Sequence, residues 1–377
     1  MRSYTVGSVW GIPIRINISL VVFLPVLAWL IGSGEQIAVY AGVIGGLTGV
    51  AFDVPALRAG ATPWLVGSTA AVGLFVSVAV HELGHSWVAL RYGLEIESIT
   101  LWILGGLAAL SEVPREWDRE LTIAAAGPLV SVVLGGVLWG ATLATPASLA
   151  PLRFVLGWLA VTNVGLAAFN LLPAFPMDGG RILRALLARS RPYASATRIA
   201  GRVGVVFAVL FAVVGVLQFS PLLLLLALFV YGAATTESRA VVLDDLLEGL
   251  TVGDVMSRDP PTVAADATVA EFADRMLRDR QTAYAVTDGG EVVGVATLDD
   301  LRGVRDREGT TVGAVAGAAG RIAAAGDAFD GFVALTSSGA SHALVEDGGR
   351  VVGLLSEGDY AHALTIQRGF QAATPLA

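Results

Sequence analysis

His81-Glu82-Leu83-Gly84-His85 sets two imidazoles four residues apart with a carboxylate beside the first. At 3.6 residues per turn, such a pair lies on one face of a helix and can share one ion. Glu82 can take a proton from a water that zinc has acidified to a pKa near 7, which is hydrolytic chemistry at neutral pH. The chain has four His and no Cys, so thiolate sites and disulfides are excluded and a metal must rest on His, Asp or Glu. The alternative is a buried structural His pair with Glu82 as its hydrogen-bond partner.

A hydrolytic zinc needs a third protein ligand and an open fourth position. Asp178, in Asn170-Leu-Leu-Pro173-Ala-Phe-Pro176-Met-Asp178-Gly179-Gly180-Arg181, is the one acidic residue between Glu120 and Glu237. Two prolines break the helix ahead of it, and the two glycines let backbone approach closely. A helix N-cap is the competing role for Asp178.

The residues that position these groups are apolar. The 377-residue chain is 55% hydrophobic and 15% charged, which implies a multi-pass membrane protein with a soluble part. Apolar segments run over about 17–32, 37–52, 64–90, 121–144, 152–172, 203–218 and 221–236. The Gly-rich run 37–52 is short, so the simplest arrangement has about six transmembrane helices with 37–52 not crossing. Ser220-Pro221 should break 203–236 into a helical hairpin. The acidic groups within the spans are expected to be Glu82 and Asp178. Arg2, Arg15, Arg91, Arg115, Arg119 and the cluster Arg181, Arg184, Arg189, Arg191, Arg198 and Arg202 put their loops, the opening of the site and the C-terminal third on the cytosolic side. The first apolar run lacks a convincing cleavage site, so a removed signal peptide is not expected.

Residues 1–250 hold 14 acidic and 14 Arg residues, whereas 251–377 hold 18 acidic and 10 Arg. All 24 basic residues are Arg. An acidic, Lys-free soluble part reads as adaptation to a high-salt cytosol, as in a halophilic archaeon, or as a bias in base composition. Nothing is basic enough for nucleic-acid binding.

From Thr251 the pattern changes to short Val-rich strands and helical runs, and it repeats. Thr251-Val-Gly-Asp-Val-Met returns as Thr311-Val-Gly-Ala-Val-Ala, and Val292-Val-Gly-Val-Ala-Thr as Val351-Val-Gly-Leu-Leu-Ser. Two copies of one α/β unit, packed pseudo-symmetrically, are expected. The domains are then 1–240 in the membrane, 250–308 and 310–368.

The His81–His85 motif together with Asn170-x-x-Pro173-x-x-Pro176-x-Asp178-Gly-Gly resembles the site-2 protease family of intramembrane zinc proteases, in the subgroup with C-terminal tandem CBS modules. Gly7-x-x-x-Gly11-Ile-Pro-Ile, Gly105-Gly106-Leu-Ala and Ala125-Ala-Gly-Pro128 are similar to that family too. The resemblance implies an α-helical multi-pass membrane protein followed by a soluble α/β tandem CBS pair. It implies zinc on His81, His85 and Asp178, with Glu82 as general base. It also implies a hairpin over the site at Gly105 and Gly106. Asn170 matches a family position tied to substrate positioning, with a helix–helix hydrogen bond as the alternative. Many relatives have His where this chain has Asn17 and Asn where it has Ser131, and 34–63 looks like an insertion.

The repeat resembles CBS modules, whose hydroxyl residue contacts phosphate and whose Asp contacts ribose. Thr297 with Asp300 and Ser356 with Asp359 match that pattern, implying ATP, ADP or AMP, with dimer contact as the other use. The resulting expectation is a zinc metalloendopeptidase that cuts single-span membrane proteins in the lipid bilayer and is modulated by adenine nucleotide. A homodimer through the CBS modules is expected as well. The other classes considered are a CBS-regulated transporter, against which the general base and the lack of an inverted repeat count, and a catalytically silent membrane scaffold.

Overall fold

The computed structural model describes residues 3–103, 105–110 and 114–373, so Arg2, invoked above for sidedness, lies outside the described residues. The chain forms two compact units, Met1–Ser238 and Arg239–Ala377.

The first unit opens with strands β1 (Ser3–Val9) and β2 (Ile12–Asn17), then helices α1 (Ile18–Gly32), α2 (Gly34–Thr48), α3 (Val54–Leu57) and α4 (Thr62–Arg91). Strands β3 (Ile96–Trp102) and β4 (Gly105–Leu110) follow, then α5 (Trp117–Ala144), a short 3-10 turn at Ala147–Leu149, and helices α6 (Ala150–Asn170), α7 (Asp178–Ala188), α8 (Tyr193–Leu217) and α9 (Pro221–Leu247). Among the described residues, five helices (α4, α5, α6, α8 and α9) are long and apolar enough to cross a bilayer, and the bent pair α1–α2, turned by 66°, would make a sixth span. Residues of α2 and α3 (Ile37, Ala41, Ile44 and Leu57) are buried against Phe154, Val155 and Trp158 of α6. The stretch 34–63 is therefore an integral packing layer.

Asn17 caps α1, its Oδ1 accepting the Ser19 N–H at 3.0 Å, and it donates to Ser3 Oγ at 3.3 Å. That capping role explains Asn at this position. The strands form one sheet in the order β1-β2-β3-β4, in which β2 runs parallel to β3 and β3 pairs antiparallel with β4. Alternation of Ile12, Ile14 and Ile16 suits a sheet with one covered face, and Ile12, Ile99 and Leu101 pack on Phe75 and Val78 of α4. The sheet thereby fixes β4 against the helix that carries the His pair.

The second unit holds α10 (Val252–Val255), β5 (Ser257–Arg258), β6 (Thr262–Ala264), α11 (Val269–Asp279), β7 (Ala283–Asp288) and β8 (Glu291–Thr297). A second set follows: α12 (Val312–Val315), β9 (Arg321–Ala323), α13 (Ala328–Ser338), β10 (His342–Asp347), β11 (Arg350–Ser356) and α14 (Glu357–Ala373). Its sheets run β5-β11-β10-β9 and β6-β7-β8. The two copies exchange their leading segments. Val252 and Val255 are buried in the core of the second copy with Leu355 and Tyr360, whereas Val312 is buried in that of the first with Phe272 and Tyr284. The exchange is sealed by Val252 N–H to Gly326 O at 2.9 Å and Val312 N–H to Ala267 O at 2.8 Å. The packed units thus differ from the linear repeats.

Candidate metal centre

Helix α4 presents His81 and His85 from adjacent turns, both buried, with Glu82 half-buried beside them. Asp178 is the first residue of α7. Met177 holds the N-cap position, so the carboxylate is free for another role. Its Oδ2 lies 3.2 Å from His81 Nε2 and 3.2 Å from His85 Nε2, and the two Nε2 atoms are 3.2 Å apart.

An equilateral set of this size has a simple meaning. Zinc binds His and Asp at about 2.0–2.1 Å, which for a tetrahedron puts ligand atoms roughly 3.3 Å apart. The tautomers agree with that geometry. His85 Nδ1 faces the Ile123 carbonyl at 2.7 Å and must donate to it, which leaves a lone pair on the neutral ring's Nε2. His81 Nδ1 lies 2.9 Å from Ser131 Oγ, which can accept a hydrogen bond from its N–H in the same way. Two lone pairs and a carboxylate oxygen would then converge on one point, an arrangement that calls for a cation. Such outer partners fix the ring orientation of metal-ligating imidazoles. Ser131 supplies one of them. Among the described residues, His81, His85 and Asp178 form the one His/Asp/Glu group arranged to hold a metal.

Two glycines let the surroundings close in. A Cβ on Gly127 of α5 would overlap His85 Nε2 and come within 2.7 Å of His81 Nε2. A Cβ on Gly106 of β4 would overlap the Glu82 side chain and reach within 2.7 Å of its Oε1. A cavity of about 290 Å³ is lined by His81, Glu82, His85, Asp178, Asn170 and Arg181, and by Gly105 and Gly106 of β4. Trp102 of β3 and Phe229 of α9 also line it, their rings 6.5 Å apart. Asn170 reaches the cavity, but its Nδ2 donates to Leu166 O of its own helix at 3.0 Å.

The expectation that Glu82 and Asp178 are the acidic groups within the spans is overturned by Glu120, which lies on the span helix α5. Glu120 of α5 is a buried acid like Asp178, and Arg184 of α7, one of the arginines counted between the fifth and sixth apolar segments, is buried with it. Arg184 donates to Glu120 Oε1 through Nε at 2.8 Å and Nη2 at 2.5 Å, and through Nη1 to Glu237 Oε1 at 2.5 Å. Its guanidinium stacks on Phe175 at 5.0 Å and Tyr193 at 4.9 Å. A buried Arg is tolerable because it is fully paired, and these pairs tie α7, and with it Asp178, to α5 and α9. The acids that bracket Asp178 in the sequence, Glu120 and Glu237, were the available signal.

In the second unit, Thr297 Oγ1 donates to Asp300 at 2.7 Å and Ser356 Oγ to Asp359 at 2.6 Å, the same turn in each copy. Asp359 also accepts from Ser257 Oγ at 2.6 Å. Ser356 lines a cleft of about 510 Å³ with Thr282, Ser341 and His342; Thr297, Asp300 and Asp359 are not among its lining residues. Burial holds the His342 imidazole below its usual pKa, against the pull of Asp359 and Asp300.

Comparison with known proteins bears on this geometry. The profile described as Peptidase family M50 matches residues 69–151 and 142–211, and that of the CBS domain matches 252–307. A zinc metalloprotease of Methanocaldococcus jannaschii is 40% identical over 239 residues, covering 63% of this chain and 68% of that one. Rip3 of Mycobacterium tuberculosis is 31% identical over 382 residues, covering 96% of this chain and 93% of its own. The chain belongs to peptidase family M50, the site-2 protease family. As a family member with a CBS domain it is a zinc metalloendopeptidase with membrane-spanning helices. A solved site-2 protease from M. jannaschii aligns with 37% identity, covering 63% of this chain and 96% of that chain, at a TM-score of 0.43. A CBS domain of a bacterial CNNM/CorC family Mg2+ transporter in complex with ATP aligns with 21% identity over 34% of this chain and 97% of that one, at a TM-score of 0.31.

Proposed function

We propose that this metalloendopeptidase hydrolyses peptide bonds within or next to the membrane-spanning segment of single-span membrane proteins. In this reading His81, His85 and Asp178 hold the zinc and Glu82 is the general base. The observation that carries it is the 3.2 Å triangle of two Nε2 atoms and one carboxylate oxygen, with His85 Nδ1 committed to a carbonyl. Zinc bound there would supply Lewis-acid polarisation and an acidified water. Glu82 accepts the water's proton and returns it to the leaving amine. Asn170 and the β4 backbone at Gly105 and Gly106 orient the substrate, which must be locally unwound because a helical backbone has no free hydrogen-bonding groups. The test is cleavage of a single-span substrate by the detergent-solubilised full chain with its metal content measured. Cleavage without bound metal would overturn the assignment.

The domain limits proposed are 1–240, 250–308 and 310–368, with the last two facing the cytosol and available for pairing between two copies of the chain. Adenine nucleotide is proposed as the ligand of the CBS pair, with Thr297, Asp300, Ser356 and Asp359 as its contacts. The matched hydroxyl–carboxylate turns and the cleft beside Ser356 support this. A ligand would have to exchange with the Ser257–Asp359 bond. Calorimetric titration of the full chain with ATP, ADP and AMP checks it: binding that Ser356→Ala weakens is expected, and no heat with any of the three would refute it.

A further inference from the structure

Arg181 is the cationic side chain in the wall of the metal cavity. It follows Asp178 by three residues on α7, so the two share a helix face. Its side chain keeps 22% of its exposure, and its Nε lies 3.9 Å from Glu120 Oε1, too far for a hydrogen bond. Glu120 spends its close contacts on Arg184, which itself takes up Glu237. Two carboxylates and two guanidiniums therefore balance. Arg184 is saturated and buried, whereas Arg181, among the described residues, has only this one long ion pair.

Hydrolysis can use such a group beside the metal. Water adds to the carbonyl carbon, the π pair of the C=O bond moves onto oxygen, and a proton passes to Glu82. The C–N bond then breaks, and the proton goes to the departing nitrogen, giving one acid and one amine. Negative charge grows on the former carbonyl oxygen, and a pre-oriented donor in a water-poor site is worth most at that moment. Asn170, the uncharged amide in the same wall, has its Nδ2 engaged with Leu166 O. We propose that the Arg181 guanidinium is the catalytic cation that stabilises this oxyanion, with Glu120 as its counter-charge. The proposal rests on the endopeptidase reading above.

The experiment compares wild type, Arg181→Gln and Arg181→Lys as full chains in detergent, with Glu82→Gln as the control for that reading. It measures kcat and KM on a single-span substrate, the Kd of a phosphinic peptide that mimics the tetrahedral state, the Kd of a matching uncleaved peptide, and metal content. For Arg181→Gln we expect kcat to fall roughly 100- to 1000-fold, with KM and ground-state peptide binding unchanged. Phosphinic-peptide affinity should fall by a similar factor while metal content holds. Arg181→Lys should keep part of the rate, and added guanidinium should restore part of it to Arg181→Gln. A loss confined to KM, an unchanged kcat, equal weakening of both peptides or loss of metal would each overturn the proposal. Activity that survives in Glu82→Gln would instead overturn the underlying reading, whatever Arg181 does.

Discussion

Replacing Gly127 by alanine adds one methyl group at the most crowded point of the site. Its Cβ would overlap His85 Nε2 and sit 2.7 Å from His81 Nε2, where ordinary contact is 3.4–4 Å. Something must shift by about 0.7 Å or more, whereas a metal site tolerates roughly 0.2 Å in its bond lengths. If the imidazoles yield, their Nε2 atoms leave the triangle. If α5 yields, Ile123 O and Ser131 Oγ, which orient both rings, move with it. Overpacking of this kind costs about 1–3 kcal/mol, equivalent to roughly 5- to 150-fold weaker metal binding. Gly136 lies on the same helix with nothing within 4 Å of a Cβ, so Gly136→Ala is the matched control and should be neutral or slightly stabilising. Competition with a chromogenic zinc chelator, run beside the cleavage assay, measures the difference. Gly127→Ala protein with wild-type zinc affinity and rate would refute the reasoning.

Gly106→Ala should push Glu82 aside while leaving the metal ligands in place, so cleavage should fall about 100-fold or more at unchanged zinc content, measured by mass spectrometry. Ser131→Ala removes the partner of His81 Nδ1 and should cost about 10- to 100-fold in zinc affinity or activity, read in the same two assays. Arg184→Met strands Glu120 in a buried setting and should destabilise the first unit by about 3–5 kcal/mol in thermal unfolding, with Glu120→Gln added to it recovering much of the loss. His342 is held below its usual pKa by burial, so the unfolded state takes up its proton first as pH falls through about 6.5. The second unit should therefore lose stability on acidification through that range, and His342→Gln should flatten this part of a melting-versus-pH profile.

The chemistry was legible in the sequence where it obeys a fixed spacing. His81 and His85 are one helical turn apart by covalent geometry alone, and Asp178 was singled out by the scarcity of acids around it. The repeat at Thr251 and Thr311 was visible too. What it did not show is which copy each leading segment serves: Val252 and Val312 cross to the other core, a choice made by packing at long range. Arg184 was read as a loop cation because charge near an apolar segment sets orientation, yet its partners Glu120 and Glu237 lie 64 and 53 residues away. Gly127 and Ser131 sit within an apolar helix, and nothing in their local pattern reveals that His81 and His85 press against them. The strands β1 and β2 were overlooked although Ile12, Ile14 and Ile16 alternate, because six residues beside a long apolar run make a weak signal.

The most direct test of the central claim is cleavage of a fluorescent single-span substrate by purified full-length protein, with wild type, wild type plus chelator, and Glu82→Gln assayed side by side. The account predicts cleavage by wild type, its loss with chelator and recovery with added zinc, and a Glu82→Gln protein that keeps its zinc and cuts nothing. Cleavage that persists in Glu82→Gln, or that is indifferent to the chelator, would contradict it.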